Sequence, residues 1–245
     1  MYTGLPLANS VYVRNGGPPP ASPALPAGPE DNAMNQQTGP REEKKQKTRQ
    51  GLLDAALKLL EGEQSFASLS LREVTREAGI VPTAFYRHFR DMDELGLALV
   101  DESFRTLRQM MRAARTGTFP TEQLVHRSVQ AFVAHVRQND RYFQFVLRER
   151  AGGRSALRTA IRTEVRLFVS ELATDLGRFP ALNAWQTEDL QMMAGLIVST
   201  MVNAVMDILD LPAGRPEDEQ QMVKVLEKQL RLVLLGASQW KPEKG

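Results

Sequence analysis

The chain of 245 residues contains no cysteine, which excludes a disulfide scaffold, a thiol nucleophile, an iron–sulfur cluster and any thiolate zinc site. Histidine is almost as scarce. Its three copies, His88, His126 and His135, lack the i, i+4 spacing that sets two imidazoles on one helix face. No G-x-G-x-x-G, phosphate-binding P-loop, nucleophile elbow or H-E-x-x-H string occurs, so neither an enzyme nor a metal or cofactor site is expected. Asp91 and Asp93 carry carboxylates, but their place before an apolar run suits a helix cap better than a cation. Runs that alternate polar and apolar residues are missing, so the expected fold class is all-α. Met1 to Ser10 lack a basic segment and are interrupted by Pro6, which argues against a signal peptide. The longest uncharged apolar stretch, Met192 to Met206, is shorter than the roughly 20 residues of a membrane span and holds Ser199, Thr200 and Asn203. It reads as a buried helix, without membrane insertion.

Net charge is also slight, with 31 Lys and Arg against 29 Asp and Glu for a formal +2. That average hides its distribution. Residues 1–40 carry Arg14 against Glu30 and Asp31, a net −1, and residues 41–90 carry ten bases and seven acids, a net +3. The rest balances to zero, so the positive excess sits in one stretch. Residues 1–40 also hold eight of the fourteen prolines and almost no apolar periodicity, and are expected to be a disordered leader. Met34 near its end is a candidate translation start. Residues 41–90 are expected to form one domain, 91–240 a second, and 241–245 a tail.

From Arg41 onward apolar residues recur at helical spacing. Leu52, Leu53, Ala56, Leu57, Leu59 and Leu60 form a stripe, and Ser70-Leu71-Arg72-Glu73 has the form of a capping box. Gly79 suits the left-handed residue that ends a helix, and Pro82 suits the first position of the next. The spacing predicts short helices over Leu71 to Ala78 and Pro82 to Phe89. A longer one follows from about Asp91, with Leu97, Val100, Phe104, Leu107 and Met111 on one face, stopping near Gly117 to Pro120. Further helices are expected over Thr121 to Gln138, Arg141 to Arg148, Ser155 to Leu176, Thr187 to Leu209 and Glu217 to Leu235.

The two short helices have the length of a helix-turn-helix, with Leu71, Val74, Ala78, Ile80, Phe85 and Phe89 as its core. The opposite face offers Thr83, Tyr86, Arg87 and His88, groups suited to phosphates and major-groove base edges. The strings Lys47-Thr48-Arg49, Leu52-Leu53-Asp54-Ala55-Ala56, Leu71-Arg72-Glu73-Val74, Ala78-Gly79-Ile80 and Tyr86-Arg87-His88-Phe89 resemble the N-terminal domain of TetR-family transcriptional regulators. The text from Phe66 through Glu102, and Leu147-Arg148-Glu149-Arg150 before Gly152, is similar to a narrower FabR/DesT group, the repressors of unsaturated fatty acid synthesis and desaturation.

The resemblance implies a three-helix DNA-binding domain followed by a larger helical bundle that binds an effector and dimerises. A homodimer would repress from a palindromic operator in duplex DNA, in the bacterial cytoplasm, with long-chain acyl-CoA as effector. Tyr86 and His88 would contact phosphate, Pro82, Thr83, Ala84 and Arg87 would lie nearest the bases, and Thr48 and Ser70 would fall where helix N-termini approach the backbone. Two positions depart from the family pattern. Val81 replaces a Ser or Thr cap, and Met92 replaces a phosphate-binding Lys, with Arg90 nearby.

A second basic feature is Arg154, Arg158, Arg162 and Arg166, repeating every four residues behind Arg148 and Arg150. A solvated or paired ridge accounts for it, and so does an anion site, in which Arg148, Arg150, Arg154 and Arg158 hold an acyl-CoA headgroup. Met192, Met193, Met201 and Met206 supply pliant apolar surface for a core, a dimer face or an acyl chain. The alternatives are a TetR-type regulator of another apolar effector, such as an efflux regulator, and a helical lipid carrier or enzyme.

Overall fold

Proline at the first position of a helix loses nothing, because that amide has no intrahelical partner, and the first helix begins at Pro40. The computed structural model describes residues 39–62, 64–115, 121–212, 214–237 and 239–240. The leader, Met34, the stop at Gly117 to Pro120 and the tail lie outside them. Within the compact unit Pro40–Gly245, the described residues form α1 (Pro40–Leu59), α2 (Leu71–Glu77), α3 (Pro82–Phe85), α4 (Met92–Arg115), α5 (Thr121–Gln138), α6 (Asp140–Gly152), α7 (Ser155–Leu176), α8 (Thr187–Leu209) and α9 (Pro216–Ala237). They contain no strand, in accord with the all-α reading.

The first core gathers Leu52, Leu53, Ala56 and Leu57 of α1, Val74 of α2, and Phe85 and Phe89 around α3. It continues without a seam past residue 90 into Leu95 and Leu99 of α4, Phe145 of α6, and Leu157 and Ile161 of α7. Burying each of these Leu, Val, Ile and Phe side chains contributes about 1.5–3 kcal/mol, so the head is anchored to the body by the same force that folds it. Leu71, Ala78 and Ile80 pack at the margin of this core, partly buried.

Leu97 was expected on the inner face of α4 but is exposed. At 100° per residue it points some 200° away from Leu95, and Leu95, Ala98 and Leu99 take the burial instead. A second core joins α4, α5, α8 and α9 through residues such as Val129, Val133, Ile208 and Leu226, and a third joins α7, α8 and Leu182 of the intervening loop. Helix α8 passes a length-and-composition test for crossing a bilayer. It buries Met193, Ala194, Val198, Met201, Ala204, Val205 and Ile208 within the protein, as a core helix does.

Two glycines answer to geometry. Gly79 has φ 67, a left-handed conformation that a Cβ disfavours, and it permits the Ile80 amide to donate to the Thr75 carbonyl at 3.0 Å while Gly79 donates to Arg76 at 3.1 Å. That is a Schellman ending, and it sets the turn between α2 and α3. At Gly153 a Cβ would stand 2.0 Å from Glu149 Oε2 and 2.6 Å from Glu149 Cα, so α6 can turn into α7 only without a side chain there.

Candidate DNA-binding head and effector cavity

Helix α2 starts on the expected capping box. The Ser70 amide donates to Glu73 Oε2 at 2.9 Å, and the Glu73 amide donates back to Ser70 Oγ at 3.3 Å. Hydrogen bonds from the Ser70 hydroxyl and amide hold the Glu73 carboxyl below its usual pKa. Ser70 therefore occupies a helix N-terminus, as the resemblance implies. Thr48 does not: α1 begins at Pro40, so Thr48 lies well inside the helix and its hydroxyl donates to the Lys44 carbonyl at 2.9 Å.

The second helix of the pair is shorter than the spacing predicts. Only Pro82–Phe85 is α-helical; Val81 supplies no capping hydrogen bond, and the chain tightens after Phe85. The Arg87 amide donates to Ala84 and the His88 amide to Phe85, three residues back in each case. Phe85 turns inward, while Val81 and Tyr86, each 63% exposed, point out with Pro82, Thr83 and Arg87. Ala84 and His88 are half-buried. Pro82, Thr83, Ala84, Tyr86, Arg87 and His88 thus share one short exposed segment. Met92 packs against the first core, and Arg90 is tied through its amide and Nε to Glu94 at 2.6 and 3.1 Å. Asp91 caps α4 by accepting from the Glu94 amide at 2.8 Å.

His88 presents Nδ1 to the protein interior without a hydrogen-bond partner. Burial, followed by the charges of Lys45, Arg49 and Arg87, holds its pKa below the ordinary 6.5.

The arginine ridge has structural work of its own. Arg148 donates to the Leu60 carbonyl at the end of α1 at 2.7 Å. Arg154 pairs with Asp93, reaches the Ala67 carbonyl at 3.4 Å, and places its guanidinium 5.9 Å from the Phe66 ring centroid. Arg158 donates to the Gly153 carbonyl, while Arg150, Arg162 and Arg166 are exposed. The expectation that Arg148, Arg150, Arg154 and Arg158 gather as a headgroup site meets a different arrangement, in which Arg148 and Arg154 fasten α6 and α7 to the head. None of the four lines the large apolar cavity of the body.

That cavity measures about 500 Å³, inside the roughly 300–1,000 Å³ typical of small-molecule sites. Its walls come from Leu107 and Met111 of α4, Val129 and Phe132 of α5, Phe168 and Leu172 of α7, Met193, Ile197 and Met201 of α8, and Leu230 and Leu234 of α9. The loop Phe179–Leu182 closes one side, where Pro180 and Ala181 are exposed. Its hydrogen-bonding side chains are Ser128 and Asp175, the latter in contact with Arg178 at 3.1 Å. Of the four methionines singled out in the sequence, Met193 and Met201 line this space. Met192 and Met206 instead join Leu196 on the exposed face of α8, beside exposed Val225, Leu232 and Leu235 of α9.

Residues 52–99 match the family described as bacterial regulatory proteins, tetR family, and residues 120–233 match the tetracyclin repressor-like C-terminal domain. The chain belongs to the TetR family. Solved TetR-like folds agree along nearly their whole length. The fatty acid degradation regulator FadR from Bacillus halodurans is 16% identical with a TM-score of 0.59, over 75% of this chain and 94% of its own. A TetR-family regulator from Streptomyces coelicolor is 20% identical with a TM-score of 0.61, over 79% and 97%. Another from Syntrophomonas wolfei is 12% identical with a TM-score of 0.65, over 78% and 96%. TetR regulators bind operator DNA and act as dimers with small-molecule effectors. Sequence reasoning missed Phe132, Phe168, Leu172 and Phe179 as cavity residues. Their apolar faces were visible, but the space left between five helices has no sequence signal.

Proposed function

We propose that this TetR regulator represses genes of unsaturated fatty acid synthesis or desaturation and takes a long-chain acyl group, carried on coenzyme A, into the cavity between α4, α5, α7, α8 and α9. The observation that carries this reading is the chemistry of the cavity: about 500 Å³, walled by Leu, Ile, Val, Met and Phe, with polar side chains confined to Ser128 and Asp175. A methylene chain gains about 0.8 kcal/mol for each group it buries there. The headgroup remains outside, past exposed Pro180 and Ala181. The apolar faces of α8 and α9 join two copies, which brings two turns spanning Pro82 to His88 to successive major grooves roughly 34–36 Å apart.

An effector changes operator occupancy only if it binds the DNA-competent and released conformations with different free energies. Operator retention with oleoyl-CoA against palmitoyl-CoA tests this directly. Opposite shifts support a readout of unsaturation, and identical responses overturn it while leaving the operator-binding class untouched. One observation favours a second reading. Asp175, shared with Arg178, places a carboxylate in a wall whose other hydrogen-bonding side chain is Ser128, which suits a lipophilic cation such as an efflux substrate. Release of the operator by such cations, with no response to either coenzyme A ester, selects that reading.

A further inference from the structure

We propose that Lys45 and Arg49 of α1 join Arg87 and His88 in a single phosphate-binding cluster, so that the N-terminal half of α1 binds the operator backbone beside the reading turn. This rests on the head being a DNA reader and adds to it a contact surface from a different helix. Helix α1 begins at Pro40, yet its buried residues begin at Leu52, and Arg41 through Lys47 are all exposed. Twelve residues of helix precede the part that the core needs. Five of the head's ten bases lie on this segment, against Glu42 and Glu43. Arg41, Lys45 and Arg49 are spaced by four and share one face.

One contact and one charge effect bring that face to the reading turn. The Arg49 guanidinium stacks 4.4 Å from the centroid of the Phe89 ring, next in sequence to His88. Stacking fixes the plane of the guanidinium while its edge donors stay available to an oxygen anion. The charges of Lys45 and Arg49, together with Arg87, act on the His88 imidazole. Lys45 has an acidic neighbour in Glu42, but at 3.9 Å and with both side chains largely exposed, a pairing of little strength. Three cations, Lys45, Arg49 and Arg87, therefore act at the His88 imidazole from two elements, with mutual repulsion that a phosphate relieves. Tyr86 extends the same exposed segment.

The test is a salt series by fluorescence anisotropy. The full chain is titrated onto a palindromic duplex that it has itself selected from a random pool, and onto a scrambled duplex of equal length. The variants are Lys45→Gln, Arg49→Gln and the double, with Arg162→Gln/Arg166→Gln removing the same charge from the exposed face of α7. Each lost phosphate contact reduces the slope of log K against log salt by about 0.9, so the double loses about 1.8 for each operator half-site relative to the α7 control. Affinity falls in equal proportion on both duplexes, since phosphate contacts carry no base information. Arg49→Lys, which keeps the charge, recovers most of the slope. A double variant with the slope of the α7 control, or a loss confined to the selected palindrome, overturns the proposal. If Arg49→Gln fails to fold in a thermal melt, Lys45→Gln alone decides: a reduced slope supports the cluster and an unchanged slope refutes it. Failure of the wild type to bind either duplex instead overturns the DNA-reading assignment, and this proposal with it.

Discussion

Replacing Arg154 with Gln tests how the start of α7 is fastened to Asp93 at the start of α4 and to Phe66 and Ala67 of the head. Arg154 pairs with Asp93, and the two side chains are 35% and 48% exposed, so solvent screening limits the pair to roughly 0.2–1 kcal/mol. The guanidinium over Phe66 at 5.9 Å adds about 0.5–1 kcal/mol. The 3.4 Å approach to the Ala67 carbonyl is too long to add much. The expected loss is about 1–2 kcal/mol, and for a chain of this size each kcal/mol lowers Tm by roughly 2–4 °C. Thermal melts of Arg154→Gln, Asp93→Asn and the double close a thermodynamic cycle, in which the pair shows a coupling of roughly 0.2–1 kcal/mol. Acyl-CoA affinity, measured on the same variants, is unchanged because neither residue lines the cavity. Zero coupling, or a loss of acyl-CoA affinity at unchanged stability, would refute the fastening role and restore the arginines to a ligand site.

Other perturbations act on single features. Leu172→Trp fills part of the cavity and lowers effector affinity at least about tenfold, equivalent to 1.4 kcal/mol, with operator affinity unchanged; equal effector affinity by calorimetry would place the ligand elsewhere. Phe66→Ala removes a fully buried ring that meets Phe145 edge-on at 5.7 Å and costs about 3–5 kcal/mol in denaturant unfolding, whereas a loss under 1 kcal/mol contradicts the shared head–body core. His88 and His135 both sit below the ordinary 6.5, His88 through burial and nearby cations and His135 through burial. The unfolded chain therefore binds protons first as pH falls, so their stabilisation is complete above about pH 6.5 and is lost at lower pH. His135→Gln should flatten the fall in Tm between pH 7 and 5, and an equally steep fall in that variant would exclude this histidine as a source.

Much of this was legible in the sequence because it depends on local rules. The capping box at Ser70, the left-handed Gly79 and the presence of helices α4 to α9 are each decided within a few residues, and the structure follows them, with Leu97 of α4 the exception. The extent of α3 was misread because the apolar pair Phe85 and Phe89 fits both a full helix and a short one followed by a tight turn. Thr48 was misplaced because nothing within its own string marks where α1 begins. The four-residue spacing of Arg154, Arg158, Arg162 and Arg166 is legible, but period alone does not say what those side chains meet. Asp93, Ala67 and Leu60 come to Arg154 and Arg148 from distant parts of the chain. The same holds for the cavity, whose walls come from five helices.

We propose that the turn from Pro82 to His88 reads DNA. The most direct test is the affinity of the full chain for a self-selected palindromic duplex at fixed salt, with Tyr86→Ala and Arg87→Ala compared with the wild type. Both side chains are exposed, so Tm should hold within about 2 °C, since surface substitutions seldom exceed about 0.5 kcal/mol. Operator affinity should fall by about 1–3 kcal/mol for a base-reading Arg87, with the double variant losing selective binding. Folded variants that hold the duplex as tightly as the wild type would contradict the account.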